Sequence, residues 1–301
     1  MNKKTISHTL LLLANLIYAL NYTLAKDVMT GGYIGSSGFI LLRAMSGIFL
    51  FGTCYFLFIK ERIMLKDLFS FAICGLFGIA INQLFFFKGL NLSTPINASI
   101  IMTSAPIIVI LISLILSREK ITLRKIIGVL LGCFGAVYLI LNTGDISFKN
   151  DYMIGNILVL INATSYAIYL ILVQPLIKKY NPITVMFFIF SFGILYIVPF
   201  GYQELIDVKW NLFSYKIIIE VIFVLVFTTF FAYLCNSIAL KHLNATAVSV
   251  YIYLQPLLAA LIAISFGSDQ LDINKTLSCI LIFTGVYIVS QKKSMLKQNL
   301  S

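Results

Sequence analysis

The chain has 301 residues, of which 60% are hydrophobic and only 11% are charged, and its formal net charge at pH 7 is +11. A soluble domain carries about 25% charged residues, so this composition excludes a soluble globular protein and indicates an integral membrane protein. A positive net charge is also typical of proteins that bind nucleic acid. We reject a nucleic-acid partner, because the basic residues lie in short clusters between apolar runs, as membrane topology requires.

The apolar runs follow one another along the whole chain and are separated by short polar segments. In lipid each run must satisfy its own backbone hydrogen bonds, which an α-helix does internally. At about 20 residues per membrane helix, we predict an all-α integral membrane fold with about ten transmembrane helices. The predicted spans are residues 7–27, 36–59, 68–90, 94–116, 123–142, 153–175, 183–203, 217–240, 245–267 and 274–291.

Two stretches repeat one pattern, in which an apolar helix with a central proline is followed by a charged turn and a second apolar helix. The first runs from Ser93 to Leu141 and the second begins near Leu243, and Pro106 aligns with Pro256. A self-match at a fixed offset indicates an internal repeat. The same alignment places Glu119 on Asp269, Lys125 on Lys275 and Gly135 on Gly285.

The charged turns of the two stretches differ in their basic residues. Residues 118–125 hold four Lys or Arg, whereas residues 268–275 hold one Lys and two Asp. Basic residues accumulate in short cytoplasmic loops, so we expect the first turn in the cytoplasm and the second outside. The two repeats are then inverted relative to each other, and five spans in each half give the same result by parity.

The topology that fits best has both termini in the cytoplasm. It places fifteen of the 22 Lys and Arg on the cytoplasmic side and six on the external side, with Arg43 inside a span. The polar link of residues 142–152 divides the chain into a first five-helix repeat, residues 1–145, and a second, inverted one, residues 146–301. The composition and short tails suggest a bacterial inner membrane.

Polar and aromatic side chains recur inside six of the predicted spans, although such groups are costly at the middle of a bilayer. Asn15, Tyr18 and Tyr22, for example, share one helical face of the first span. The stripes favour a substrate cavity between the halves, with aromatic walls and amide anchors. The predicted cavity residues are Tyr18, Asn21, Asn82, Gln83, Asn97, Ser104, Tyr166, Tyr169, Tyr233, Asn236, Tyr251 and Gln255.

For a single Asn, Ser or Thr the alternative is a hydrogen bond between helices, which contributes about 0.6 kcal/mol. Pro106 and Pro256 each remove one backbone hydrogen bond and are predicted to kink their helices, either as flexing points or as static bends. Lys26, Arg43 and Lys88 lie toward the external ends of their spans, where as a group they either attract an anionic substrate or form salt bridges with Asp27 and Glu220. For Lys26 and Lys88 we rather expect the side chain to extend to the membrane interface. Arg43 is the deepest, and we expect it to be paired.

Enzymatic and metal chemistry find no support in the residue pattern. The five cysteines lie inside apolar runs without a paired spacing such as CxxC, so we expect no disulfide and no metal site. His8 and His242 stand alone, and no GxxxxGK[ST] motif is present for ATP. We therefore expect neither an enzyme nor a cofactor.

The order of these features resembles the EamA family of the drug/metabolite transporter superfamily over nearly the whole chain. The residues that carry the resemblance are Tyr18 to Asn21, Lys26, Arg43, Pro106, Glu119, Gly128 to Gly135, Pro256, Asp269 and Gly285. Two positions depart from the family pattern, since Tyr18-Ala19 replaces a Trp-Gly pair and Asp269 replaces a Glu. The resemblance implies ten helices in two inverted repeats around a central cavity, and transport of amino acids, metabolites or drugs.

The function that we predict is a secondary transporter of small metabolites, such as amino acids or related amphipathic compounds, working by alternating access. The expected partners are a small-molecule substrate and membrane lipid, with the protein acting as a monomer or a homodimer. A membrane-embedded sensor or assembly partner without transport is the alternative. Substrate identity, direction and ion coupling stay open, because a fold does not fix a function.

Overall fold

A computed structural model describes residues 3–93, 95–113, 115, 122–142, 150–258 and 273–290. Within these ranges the secondary structure is helical, without a strand, which confirms the prediction of an all-α fold. The helices are α1 Lys3–Thr30, α2 Ser36–Ile59, α3 Leu65–Leu92, α4 Pro95–Met102, α5 Ala105–Ile112, α6 Leu123–Asn142, α7 Asn150–Lys179, α8 Pro182–Ile206, α9 Tyr215–His242, α10 Ala245–Leu258 and α11 Ile273–Ser290.

Six of the described helices are long and apolar enough to cross a membrane, namely α1, α2, α3, α7, α8 and α9. Their outward faces carry large exposed apolar side chains, such as Phe49, Phe69 and Leu195, whereas buried amides and an arginine lie inside. This arrangement suits a protein surrounded by lipid, where the outer surface needs apolar side chains and interior polar groups need partners.

Four pairs of long helices pack against each other, namely α1 with α9, α2 with α8, α3 with α7 and α6 with α11. Glycines let some of these helices approach closely. A Cβ atom added to Gly285 would lie 2.5 Å from the carbonyl oxygen of Gly128, and one added to Gly89 would lie 2.8 Å from that of Gly155. Small residues at helix contacts are typical of membrane bundles.

The fourth predicted span, residues 94–116, is not one continuous helix. It is divided into α4 and α5 by a turn at Thr103 and Ser104, and Pro106 lies in the first turn of α5. Proline disfavours helical geometry in the preceding residue and cannot donate a backbone hydrogen bond, which explains a break at this place. In α10, Pro256 follows a 3₁₀ segment, Val250–Tyr253.

Three long helices contain wider π-helical turns, Tyr55–Ile59 in α2, Leu76–Ile81 in α3 and Val224–Phe231 in α9. Such turns rotate the residues that follow them relative to an ideal α-helix, and they are frequent at functional sites. Residues 116–121 with Glu119, residues 259–272 with Asp269 and residues 143–149 of the polar link lie outside the described residues.

Candidate functional site

A cavity lies between α1, α2, α3 and α4 on one side and α7, α9 and α10 on the other. Arg43 is the one charged residue among its described lining residues. The full lining consists of Asn15, Tyr18, Asn21, Tyr22, Arg43, Asn82, Gln83, Phe86, Met102, Asn162, Tyr166, Thr228, Tyr233, Asn236, Val248, Ile252 and Gln255.

Eight of the twelve residues predicted from the sequence line this cavity: Tyr18, Asn21, Asn82, Gln83, Tyr166, Tyr233, Asn236 and Gln255. Tyr169 lines a smaller adjoining cavity, which shares Tyr18, Tyr166, Tyr233 and Asn236 with the first. These four shared residues therefore separate the two spaces, and movement of their side chains would join them.

Of the remaining three predicted residues, two form contacts outside the cavity and the side chain of the third is not described. The Ser104 hydroxyl donates to the Ile101 carbonyl in the turn before α5, which keeps it out of the cavity. The Tyr251 hydroxyl meets His8 Nδ1 at 2.7 Å, because the 3₁₀ segment turns it away from the face that Gln255 shares with the cavity. Asn97 belongs to α4, but its side chain lies outside the described residues.

Arg43 ties three helices together inside the cavity wall. Its Nε donates to Thr229 Oγ1 at 2.9 Å and one terminal nitrogen donates to Gln83 Oε1 at 2.7 Å. Its guanidinium carbon lies 5.0 Å from the centre of the Phe87 ring, a cation–π contact. The Gln83 amide donates in turn to the Tyr233 hydroxyl, so a single network joins α2, α3 and α9.

A reciprocal amide pair joins α3 to α7 on the cavity wall. Asn162 Nδ2 donates to the Asn82 carbonyl at 2.7 Å, and Asn82 Nδ2 reaches the Asn162 carbonyl at 3.4 Å. The Asn82 side-chain oxygen accepts from Gln83. Asn162 Oδ1 is then left without a hydrogen-bond partner among the described residues, although it is buried. This oxygen can therefore accept a hydrogen bond from a molecule bound in the cavity.

A second hydrogen-bonded chain joins α1 to α10. The Tyr22 hydroxyl donates to Gln255 Oε1 at 2.8 Å, and Gln255 Nε2 donates to Asn15 Oδ1 at 2.9 Å. Asn236 Nδ2 of α9 reaches the Tyr18 hydroxyl at 3.1 Å. Described polar side chains thus anchor α1, α2, α3, α7, α9 and α10 to one another.

Several lining residues are absent from the set predicted from the sequence, and they differ in whether a sequence pattern could have identified them. Asn15, Tyr22 and Asn162 belong to the polar stripes of the first and sixth spans, so helical spacing was a sufficient signal. Arg43 was expected to be paired with an acid, and its described partners are neutral instead. Thr228 lies in the π-helical turn of α9, where ideal helical spacing does not apply. The apolar lining, Phe86, Met102, Val248 and Ile252, has no sequence signal of its own.

Comparison with known proteins agrees with this architecture. The model of the EamA-like transporter family matches twice, at residues 5–141 and at residues 153–291. An uncharacterized transporter of Archaeoglobus fulgidus is 29% identical over 233 residues, which cover 77% of this chain and 81% of that protein. The WAT1-related protein At3g53210 of Arabidopsis thaliana is 24% identical over 278 residues, which cover 82% of this chain and 75% of that protein.

A solved crystal structure has the same fold, with a TM-score of 0.73 and 19% sequence identity over 95% of each chain. The uncharacterized transporter YyaM of Bacillus subtilis is a further relative, 21% identical over 234 residues that cover 77% of this chain and 76% of that protein. The family match confirms the resemblance noted from the residues, and six apolar helices accompany it. The chain therefore belongs to the EamA-like transporter family and is a multi-pass membrane transporter.

Proposed function

We propose that the chain is a secondary transporter that moves small metabolites, such as amino acids or related amphipathic compounds, across the bacterial inner membrane. The observation that carries the proposal is the cavity itself, which is lined by helices from both halves of the chain. Transporters bind their substrates between repeats, at such a place. Rings from Tyr18, Tyr166 and Tyr233 beside buried amides suit a substrate with an apolar body and a few polar groups.

We further propose ten spans arranged as two inverted five-helix repeats, residues 1–145 and 146–301. The helix pairing supports this arrangement, because it is unchanged when the two halves are exchanged. With α7, α8, α9 and α11 as counterparts of α1, α2, α3 and α6, the pair α1–α9 becomes α7–α3, and the pairs α2–α8 and α6–α11 map onto themselves. The double match of the family model supports it as well.

Alternating access requires that contacts at the two ends of the cavity exchange. At one end Lys26 Nζ donates to the carbonyls of Leu90, Asn91 and Ser93, which joins α1 to the end of α3. At the other end Asp67 of α3 accepts from Lys179 and Tyr180, beside the end of α7. These two sets of hydrogen bonds join different helix ends. Opening the cavity at either end would break the hydrogen bonds at that end.

The direct test is flux through the purified protein. Proteoliposomes are loaded with a mixture of amino acids and other small metabolites, and efflux is followed by mass spectrometry against protein-free vesicles. We expect at least one amphipathic metabolite to leave faster with the protein. Tyr166→Ala removes a ring from the cavity wall and should lower this flux about tenfold or more, as a loss of about 1.4 kcal/mol of substrate binding implies.

The matched control is Tyr202→Ala, because Tyr202 is 60% exposed on the outer surface and lies away from the cavity. Its flux should equal that of the unmodified protein when both reach the vesicles in equal amounts. A protein that binds metabolites and never speeds their passage would be a membrane-embedded sensor or assembly partner, and the transport proposal would fail.

A further inference from the structure

Arg43 is a buried cation whose described partners are all neutral. Arg43 is only 4% exposed. Its guanidinium contacts the Thr229 hydroxyl, the Gln83 amide oxygen and the Phe87 ring. Removing an ionised group from water costs much free energy unless an opposite charge or strong hydrogen bonds replace the water. Two neutral hydrogen bonds use two of the five N–H groups of the guanidinium, so the charge itself is not balanced by them.

Each carboxylate that the structure describes is engaged somewhere else. Asp27 and Glu220 lie against Lys216, Glu61 accepts from the backbone of Asn181, Asp67 accepts from Lys179 and Tyr180, Glu204 accepts from the backbone of Ser37 and Gly38, and Asp207 accepts from Gln203. None of these described carboxylates lies within 4.0 Å of Arg43. The expected acidic partner of Arg43 is therefore not among them.

The cavity wall also holds buried acceptors that have no described partner. Asn162 Oδ1 is buried and accepts no described hydrogen bond, and its orientation is fixed because the amide nitrogen donates to the Asn82 carbonyl at 2.7 Å. Thr228 Oγ1 and Asn21 Oδ1, which also line the cavity, have no described partner either. The lining thus offers a positive group together with acceptors for N–H or O–H donors.

From this arrangement we propose that Arg43 binds the carboxylate of the transported substrate, and that the acceptors, with Asn162 Oδ1 foremost, receive its amino or hydroxyl group. The substrate class is a small amino or hydroxy acid with an apolar body. A guanidinium presents a planar fork of donors that matches a carboxylate, which suits Arg43 better than a lysine would. This inference rests on the proposed transport function, because the acid is taken to be the transported compound.

The test compares acids with their primary amides, which differ only at the proposed anion. The probes are L-leucine, L-phenylalanine and their 2-hydroxy analogues, each paired with its primary amide. Binding is read first, as thermal stabilisation of the purified protein in detergent, since a ligand that binds the folded state stabilises it. Flux of the same probes in proteoliposomes is read second.

For the unmodified protein we expect at least one acid to bind and pass about tenfold or more better than its amide, as about 1.4 kcal/mol from the carboxylate implies. Arg43→Gln should remove this preference for the acid over the amide, and Arg43→Lys should restore part of it. Lys88→Gln is the charge-matched control, because Lys88 is exposed and lies 5.9 Å from the Phe200 ring, outside the cavity. Its preference should equal that of the unmodified protein.

The two proposals fail in different ways. An unmodified protein that binds or passes the amides as well as the acids, or binds no acid at all, overturns the role of Arg43, even where neutral compounds are transported. An unchanged preference for the acid in Arg43→Gln also overturns the role of Arg43. If that variant does not fold, the acid preference of the unmodified protein and of Arg43→Lys still tests this role. Binding that favours the acids without any flux keeps the anion site and refutes transport.

Discussion

Two helix crossings, each between a helix of the first half of the chain and a helix of the second, are built from different residues. Where α3 crosses α8, Ile79 packs on Gly193 so closely that a Cβ atom added to Gly193 would lie 2.7 Å from that of Ile79. Where α9 crosses α2, the Thr229 hydroxyl accepts from Arg43. Ile79 and Thr229 are 150 residues apart, as are Arg43 and Gly193, and the same offset relates Pro106 to Pro256.

The difference distinguishes the residues that helix packing requires from those that the cavity requires. The crossing of α3 with α8 packs with a glycine and an apolar side chain, which shows that this kind of crossing requires no cation. The crossing of α9 with α2 instead contains Arg43, which also lines the cavity. A charge that the packing does not require, kept at a cost in a buried place, is expected to serve binding.

The largest effect should follow from filling the glycine crossing. Gly193→Val places a branched side chain 2.7 to 2.8 Å from the Cβ and Cγ2 atoms of Ile79, so the backbones of α3 and α8 must separate. Overpacking of this kind typically costs about 1–3 kcal/mol, and we expect the upper end of that range here. The measurement is thermal unfolding in detergent, followed by the exposure of the buried thiols of Cys74 and Cys235 to a fluorogenic maleimide.

Leu195→Val is the control for this change, because Leu195 is on the same helix and 65% exposed toward the outer surface. It should leave the unfolding temperature nearly unchanged. Equal stability of Gly193→Val and Leu195→Val would mean that the crossing of α3 with α8 is loosely packed, and that the comparison with the crossing of α9 and α2 has no basis.

The sequence was sufficient for the parts of the fold that depend on composition and periodicity. Continuous apolar runs predicted the helices, and polar stripes predicted eight of the residues that line the cavity, because α-helical spacing holds over most of α1, α3 and α7. It was insufficient where the helix geometry changes. The 3₁₀ segment of α10 turns Tyr251 toward His8, and the π-helical turn of α9 brings Thr228 to the cavity.

The partners of Arg43 illustrate a second limit. Hydropathy and charge patterns place an arginine inside a span, and the general cost of a buried charge then suggests an acidic partner. Whether a carboxylate reaches it depends on long-range packing, which here brings Thr229, Gln83 and Phe87 to the guanidinium. Such a contact joins residues that are up to 186 positions apart, and no local pattern contains it.

An intermediate effect should follow from removing the hydroxyl that faces Arg43. Thr229→Val keeps the shape of the side chain but leaves Arg43 Nε without its acceptor, and a buried donor left unsatisfied costs about 1–3 kcal/mol. Thr228→Val is the matched control, since the Thr228 hydroxyl is buried and has no described partner. We expect thermal unfolding in detergent to show a clear loss of stability for Thr229→Val only.

The same pair of variants sharpens the distinction between packing and binding. Thr228 lines the cavity, so Thr228→Val should lower flux while leaving the unfolding temperature near that of the unmodified protein. If Thr228→Val proves as destabilising as Thr229→Val, the hydrogen bond from Arg43 to Thr229 does not specifically stabilise the crossing of α9 with α2.

The smallest effect concerns the second polar contact at the crossing of α9 with α2. The Ser46 hydroxyl donates to the Leu225 carbonyl at 2.9 Å, and Leu225 lies in the π-helical turn, where a carbonyl outside the regular helical pattern is open to an outside donor. Ser46→Ala should therefore cost about 0.6 kcal/mol, the mean for hydrogen bonds between membrane helices. Ser191→Ala, measured beside it by thermal unfolding, should cost less, because the Ser191 hydroxyl bonds to Phe187 of its own helix. Equal losses would indicate that the Ser46 bond adds nothing between the helices, and the polar attachment of α2 to α9 would then depend on Arg43 and Thr229 alone.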